Sequence, residues 1–135
     1  MKKLFQRIYI VFVILSTLSC QSTGDNSNDI SNEGMVLHCV YFYLEEEISE
    51  EEKKSFEKGL HELLAIDVIY KSEIGKTGAT PSRAVTDHDF DYSIVTWFKT
   101  LKDYETYANH PDHIEFIGKY EMFWEYVKVY DSEII

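Results

Sequence analysis

The sequence predicts an α+β protein, with a four-stranded antiparallel sheet and helices packed on one face of it. Four stretches are rich in β-branched and aromatic residues, as strands are. Three other segments carry helix-capping residues or apolar residues at helical spacing. The resulting order, β-α-β-β-α-α-β, is typical of an antiparallel sheet with its helices on one side. With 135 residues, 44% of them hydrophobic, the chain suits one small domain with a real core.

The first strand is predicted over residues 35–44 (MVLHCVYFYL), and it is apolar on both faces. A single layer of helices covers only one face of a sheet, so the other face needs a partner. We therefore expect a homodimer formed through the sheet. His38 is the single ionisable group in this run. It is either a hydrogen-bonded core histidine or a polar group at the mouth of a pocket, and the sequence leaves both interpretations open.

The first helix is predicted from a capping box, Ser49 with Glu52. Its buried stripe at helical spacing consists of Phe56, Leu60, Leu63 and Leu64. Gly59 inside this helix leaves room for a neighbour or a ligand. A second strand is predicted over residues 67–76. The stretch 75–89 then forms a long polar loop, either a lid over a site or a disordered segment.

A third strand is predicted over residues 90–99. Thr100 is placed to cap a short helix over residues 101–108. Pro111 fits the first turn of the next helix, where its missing N–H has no intrahelical partner to lose. An apolar-periodic segment follows over residues 114–124, and a last strand is predicted over 125–134.

The corner between the last two helices, residues 107–113 (YANHPDH), is the best candidate for a site. His113 would lie in the first turn of a helix, where the macrodipole disfavours a positive charge and keeps the imidazole neutral and basic. Tyr107 would end the preceding helix and face the same place. The alternative is a helix–helix corner in which the histidines serve only as packing and capping groups.

The N-terminus is expected to lie outside the fold. A basic start and a short apolar run over residues 8–15 indicate a signal peptide over 1–19. A small residue directly before Cys20 resembles a bacterial lipoprotein signal, in which that cysteine is lipidated. Ordinary secretion with cleavage near Ser19 is the alternative. Residues 20–34 would be a flexible tether, placing a lipid-anchored domain in the bacterial cell envelope, with the outer membrane favoured by resemblance.

Several classes of function are disfavoured by composition and motifs. The formal net charge of −11 makes nucleic acid an unfavourable partner, because binding it requires a basic face. The sequence contains no phosphate loop, dinucleotide fingerprint or CxxC pair. The histidines lack a third ligand at a diagnostic spacing. We therefore expect no metal and no cofactor.

With this order in hand, the chain resembles the stress-responsive A/B barrel (Dabb) family over residues 35–132. The resemblance rests on the strand opening His38-Cys-Val-Tyr-Phe42, the strand end Trp97-Phe98 followed by the YANHPDH corner, and the segment Phe123-Trp124 leading to Asp131. It implies a ferredoxin-like dimeric α/β barrel. A plant branch of the family resembles polyketide cyclases, which close a ring by aldol condensation without a cofactor.

That resemblance also implies roles for residues of this chain. His113 would be the catalytic base, Tyr107 its helper and His38 a polar group near the pocket. Pocket walls would come from Phe42, Phe56 and Trp124. Three functions follow as hypotheses: binding of a small apolar or carbonyl-containing ligand, a cofactor-free lyase or cyclase, and a haem or quinol monooxygenase of related fold.

Overall fold

The computed structural model describes residues 32–135 and confirms the predicted class and element order. The strands are β1 (Val36–Leu44), β2 (Lys71–Lys76), β3 (Tyr92–Phe98) and β4 (Trp124–Glu133). The helices are α1 (Glu50–Leu63), α2 (Leu101–Ala108) and α3 (Pro111–Tyr120), followed by a 3₁₀ turn over Glu121–Phe123. The four strands form one antiparallel sheet in the order β2-β3-β1-β4.

Strand β1 is central in the sheet, and its two faces have different surroundings. Residues His38, Val40 and Phe42 are buried beneath the helices. Leu37, Cys39 and Tyr41, on the opposite or outer face, are half-buried. The prediction of a helix layer on one side is therefore confirmed. Across the strands, His38 lies opposite Thr96 of β3 and Asp131 of β4.

Helix α1 forms as the sequence predicts. Ser49 accepts a hydrogen bond from the Glu52 backbone, and the Glu52 carboxylate accepts one in return from the Ser49 backbone N–H at 2.8 Å. Of its predicted stripe, Phe56, Leu60 and Leu63 are buried, whereas Leu64 is the C-cap and only partly buried. Gly59 makes room for a neighbour, which is the Tyr120 ring of α3: a Cβ at position 59 would lie 2.8 Å from the Tyr120 hydroxyl oxygen and closer still to the ring.

Strand β2 begins later than predicted, at Lys71 rather than at residue 67. The preceding segment forms turns, in which Ile66 N–H donates to the Leu63 carbonyl and Ile69 N–H to the Ile66 carbonyl. Ile66 is buried, and Val68 and Ile69 pack against the core. The apolar residues whose spacing predicted a strand here lie instead in a turn that packs against the core.

The other boundaries shift by one to four residues. Strand β3 spans Tyr92–Phe98 within the predicted 90–99. Helix α3 ends at Tyr120, so the periodic segment predicted over 114–124 is part helix and part 3₁₀ turn. Strand β4 begins at Trp124 and ends at Glu133, rather than 125 and 134.

The loop over residues 77–91 lies across the outer face of the sheet. The Tyr43 hydroxyl donates to the Asp87 carboxylate at 2.6 Å, and Lys128 Nζ lies 2.8 Å from the same carboxylate. The Phe90 ring packs edge-on against Tyr41, with centroids 5.0 Å apart. The loop is therefore anchored to the sheet on the side away from the helices.

The predicted signal peptide over residues 1–19, the lipidation site Cys20 and most of the predicted tether lie outside the described residues. Within residues 32–135, no helix is both long enough and apolar enough to cross a membrane.

Candidate functional site

A cavity of about 430 Å³ lies between the sheet and helices α2 and α3. The sheet side is formed by β1, β3 and β4, and Ile117 and Val129 are exposed where the cavity meets solvent. Most lining groups are aliphatic or aromatic. They are His38, Val40, Phe42, Leu63, Ile94, Tyr104, Tyr107, His113, Phe116, Ile117, Glu121, Trp124, Val127 and Val129.

The turn between α2 and α3 positions the two histidines of the YANHPDH corner differently. His110 is the N-cap of α3, where its ring Nδ1 accepts a hydrogen bond from the Asp112 backbone N–H at 3.2 Å. Pro111 occupies the first turn, as predicted. The capping interpretation is therefore correct for His110. His113 instead lines the cavity.

His113 is held in one orientation by the backbone. Its Nδ1 lies 3.1 Å from the Ala108 carbonyl oxygen, so a neutral ring donates Nδ1–H there and leaves Nε2 unprotonated. Burial lowers the pKa of His113, and the nearby His38 and His110 lower it further, although the Ala108 carbonyl acts in the opposite direction. The ring is therefore neutral and basic at Nε2 near neutral pH, in agreement with the helix-dipole argument.

Tyr107 is almost fully buried, with 2% of its surface exposed, and its ring lies 4.6 Å from the His113 ring between centroids. Burial, with a smaller contribution from Tyr104, raises the pKa of Tyr107, so the phenol stays protonated. The Tyr107 hydroxyl makes no hydrogen bond to any residue within 32–135. Every fully buried side-chain polar atom in this part of the chain has a hydrogen-bond partner, so the Tyr107 oxygen is not fully buried. Because Tyr107 lines the cavity, its hydroxyl reaches the cavity and can donate to a ligand there.

His38 satisfies both interpretations that the sequence left open. It is buried and hydrogen-bonded, with Nδ1 2.6 Å from Asp131 Oδ1, and it also lines the cavity. Its ring lies 5.9 Å from Tyr107 and 5.4 Å from Tyr104. Burial raises the pKa of the Tyr104 hydroxyl, and the negative charge of the nearby Asp131 carboxylate raises it further.

Tyr104 and Asp131 are therefore site residues that sequence reasoning missed. Tyr104 precedes Tyr107 by three positions on α2, and that helical spacing could have indicated a shared face. Asp131 reaches His38 only because β1 and β4 pair in one particular register, which no local pattern shows.

The three aromatic positions expected to form pocket walls are in contact but occupy two layers. Phe42 and Trp124 line the cavity, with ring centroids 5.4 Å apart. Phe56 has no exposed surface and lies behind them, 5.2 Å from Phe42 and 5.9 Å from Trp124. Phe56 supports the wall rather than forming its surface.

Residues 32–135 contain no group of three or more His, Cys, Asp or Glu side chains placed to hold a metal ion. The loop over 77–91 contributes nothing to the cavity lining, because it lies on the other face of the sheet. It is therefore not a lid over this cavity.

The fold and the cavity define a ferredoxin-like α+β protein with a site between sheet and helices. The chain belongs to the stress-responsive A/B barrel domain (Dabb) family, whose model matches residues 36–134. No curated protein matches the chain.

Several solved structures are similar to it. A dimeric ferredoxin-like protein of unknown function from Bacteroides fragilis is 28% identical, with a TM-score of 0.59, covering 76% of this chain and 98% of its own. A Dabb family protein from Mesorhizobium loti is 24% identical, with a TM-score of 0.63, covering 76% of this chain and 99% of its own. The hydroxynitrile lyase of Passiflora edulis is 19% identical, with a TM-score of 0.64, covering 75% of this chain and 94% of its own.

Proposed function

We propose that this protein binds a small apolar or carbonyl-containing molecule in the cavity between the sheet and the helices. The observation that carries the proposal is the division of the cavity into two ends. His38, Tyr107 and His113 cluster at one end, while Phe42 and Trp124 form the other. A few convergent polar groups in an otherwise apolar cavity are typical of small-molecule sites.

A second candidate function, cofactor-free lyase or cyclase chemistry, is favoured by the His113–Tyr107 pair. His113 Nε2 would take the acidic proton alpha to a carbonyl, and the C–H electron pair would move into the enolate. The Tyr107 hydroxyl would donate to the enolate oxygen, where negative charge develops. The enolate carbon would then attack a second carbonyl, and the His113 imidazolium would return its proton to the new alkoxide. Similarity to a hydroxynitrile lyase supports the reaction class.

Thermal shifts of the full chain with uncharged β-diketones, phenols and quinones test both functions. We expect stabilisation of the wild type at micromolar ligand, and a reduced shift for His113→Ala. His61→Ala is the matched control, because His61 is exposed on α1 and away from the cavity. No shift with any compound, or equal shifts in wild type and His113→Ala, would argue against ligand binding at this cavity.

Turnover of the β-diketone that binds separates the two candidates. For the lyase, His113→Ala and Tyr107→Phe should each lower kcat by about 100-fold or more, with little change in melting temperature. A wild type that binds but shows no turnover leaves a binding protein. No observation in the described residues specifically favours the third hypothesis, a haem or quinol monooxygenase.

We further infer that the protein forms a homodimer through the outer face of the sheet. We also infer that a lipid on Cys20 anchors the chain in the bacterial envelope, at the outer membrane. The half-buried apolar residues of that face and the dimeric ferredoxin-like proteins similar to this chain support the dimer. Light scattering of the soluble domain tests it, with a monomer as the contrary result. A Cys20→Ala chain found in the soluble fraction, with the wild type in membranes, would support the anchor.

A further inference from the structure

The cavity has a second polar feature, the carboxylate of Glu121, at the end opposite His113. Along α3 and the turn that follows it, His113, Ile117 and Glu121 all line the cavity. Eight residues at helical rise separate His113 from Glu121 by about 12 Å. On the sheet wall, His38 and Phe42 are four strand residues apart, which is about 13 Å. Both walls therefore give the cavity a long axis, with acid–base groups at one end and Glu121 at the other.

Glu121 is available to a ligand. Within residues 32–135 it takes part in no side-chain hydrogen bond and no ion pair. The nearest cation in sequence, Lys119, lies over the Tyr120 ring, 4.9 Å from its centroid, and borders the groove between α1 and α3 instead. The last carbonyl groups of α3 add partial negative charge at the same end.

The negative charge of Glu121 is not offset by the rest of the lining. The lining residues, all within the described part of the chain, include no lysine or arginine. Asp131 adds a second carboxylate behind His38. A carboxylate or phosphate on the ligand would therefore meet charge of the same sign, with no lysine or arginine in the lining to offset it.

We propose that Glu121 is a specificity-determining residue of this cavity, which selects ligands with an uncharged or hydrogen-bond-donating group at the end remote from the carbonyl and rejects ligands with an anionic group there. The inference rests on the proposed function, because it assumes that the carbonyl lies at the His113 end. The apolar body of the ligand then packs along Phe116 and Trp124. A hydroxyl at the far end donates to the Glu121 carboxylate, a charge-assisted hydrogen bond.

The test uses three aryl β-diketones that differ only at the para position of the ring: hydrogen, hydroxymethyl or carboxylate. Dissociation constants are measured by calorimetry on the full chain. We expect the carboxylate compound to bind the wild type at least about tenfold more weakly than the hydrogen compound, as for like charges at partly solvated sites. The hydroxymethyl compound should bind at least as well as the hydrogen compound.

Glu121→Gln should reduce the penalty of the carboxylate compound by about threefold or more, because it removes the charge and keeps the shape. Glu125→Gln is the matched control. It removes the same charge from an exposed position of β4 that does not line the cavity, and it should leave the three affinities in their original ratio. Added salt should also reduce the difference in affinity between the carboxylate and hydrogen compounds in the wild type, because Glu121 is exposed and its charge is screened.

The outcomes separate the two proposals. Equal affinity for the three compounds, with binding that still depends on His113, would overturn the role of Glu121 and leave the proposed function intact. If the carboxylate compound binds Glu121→Gln as weakly, relative to the hydrogen compound, as it binds the wild type, the role of Glu121 is likewise overturned and the proposed function stays intact. If none of the three binds, or if binding is independent of His113, both proposals fail.

Discussion

Replacing Gly59 with alanine should destabilise the domain by about 1–2 kcal/mol, although alanine is the better helix former. In an unconstrained helix the change would stabilise by about 1 kcal/mol. Here the new Cβ would overlap the Tyr120 ring and lie 2.8 Å from its hydroxyl oxygen. That ring cannot easily move, because Phe56, Phe116 and Phe123 pack around it at centroid distances of 5.1–5.7 Å. Overpacking of this kind costs about 1–3 kcal/mol, and a rigid site takes the upper part of that range.

Gly118 on α3 provides the matched control, because a Cβ there would meet no atom within 4 Å. Gly118→Ala should stabilise by up to about 1 kcal/mol through helix propensity alone. Urea denaturation at one fixed protein concentration measures both variants, since dimerisation makes apparent stability depend on concentration. A Gly59→Ala chain that is as stable as Gly118→Ala would refute the packing argument and would mean that the Tyr120 ring moves freely.

Two further predictions concern the polar end of the cavity. Burial lowers the pKa of His113 below the ordinary value of 6.5, so the unfolded chain binds more protons below that pH. The free energy of unfolding should therefore rise with pH from the folded-state pKa of His113 up to about 6.5. His113→Gln should flatten this dependence on pH, as measured by urea titrations at several pH values. An unchanged dependence on pH would contradict the lowered pKa of His113. Asp131→Asn replaces the charged acceptor of the buried His38 with a neutral one and should lower the free energy of unfolding by about 1–2 kcal/mol. A midpoint equal to wild type would show that the charge of this acceptor adds nothing to stability.

Local signals in the sequence were enough to predict most of the fold. The capping box of Ser49 and Glu52, the Thr100 cap and Pro111 in a first turn each involve residues within four positions of one another, and each forms as predicted. The alternation in β3 also holds, with Tyr92 and Ile94 buried beneath the helices. Residues 67–70 show the limit of this reasoning, because apolar spacing does not distinguish a short strand from a turn packed on the core.

The candidate site was only partly predictable. His113 and Tyr107 lie in one continuous motif, and their shared location follows from the turn between two helices. Asp131 could not be placed, because its contact with His38 depends on pairing across 93 residues. The different depths of Phe42 and Phe56 likewise depend on how α1 packs on the sheet. Of the six residues named from the family resemblance, all but Phe56 line the cavity, and Phe56 lies behind the wall.

The pairing of His38 with Asp131 also makes the site sensitive to errors in sheet assembly. A slip of one residue between β1 and β4 would turn Asp131 toward the outer face and leave a buried imidazole without its acceptor. The same slip would bring Tyr130 and Lys128 under the helices. Misalignment of β1 and β4 therefore removes a hydrogen bond at the cavity. A chain with a complete site must consequently have paired β4 in the correct register. Substitutions in β4 that shift its register against β1 should consequently affect folding yield and ligand binding together.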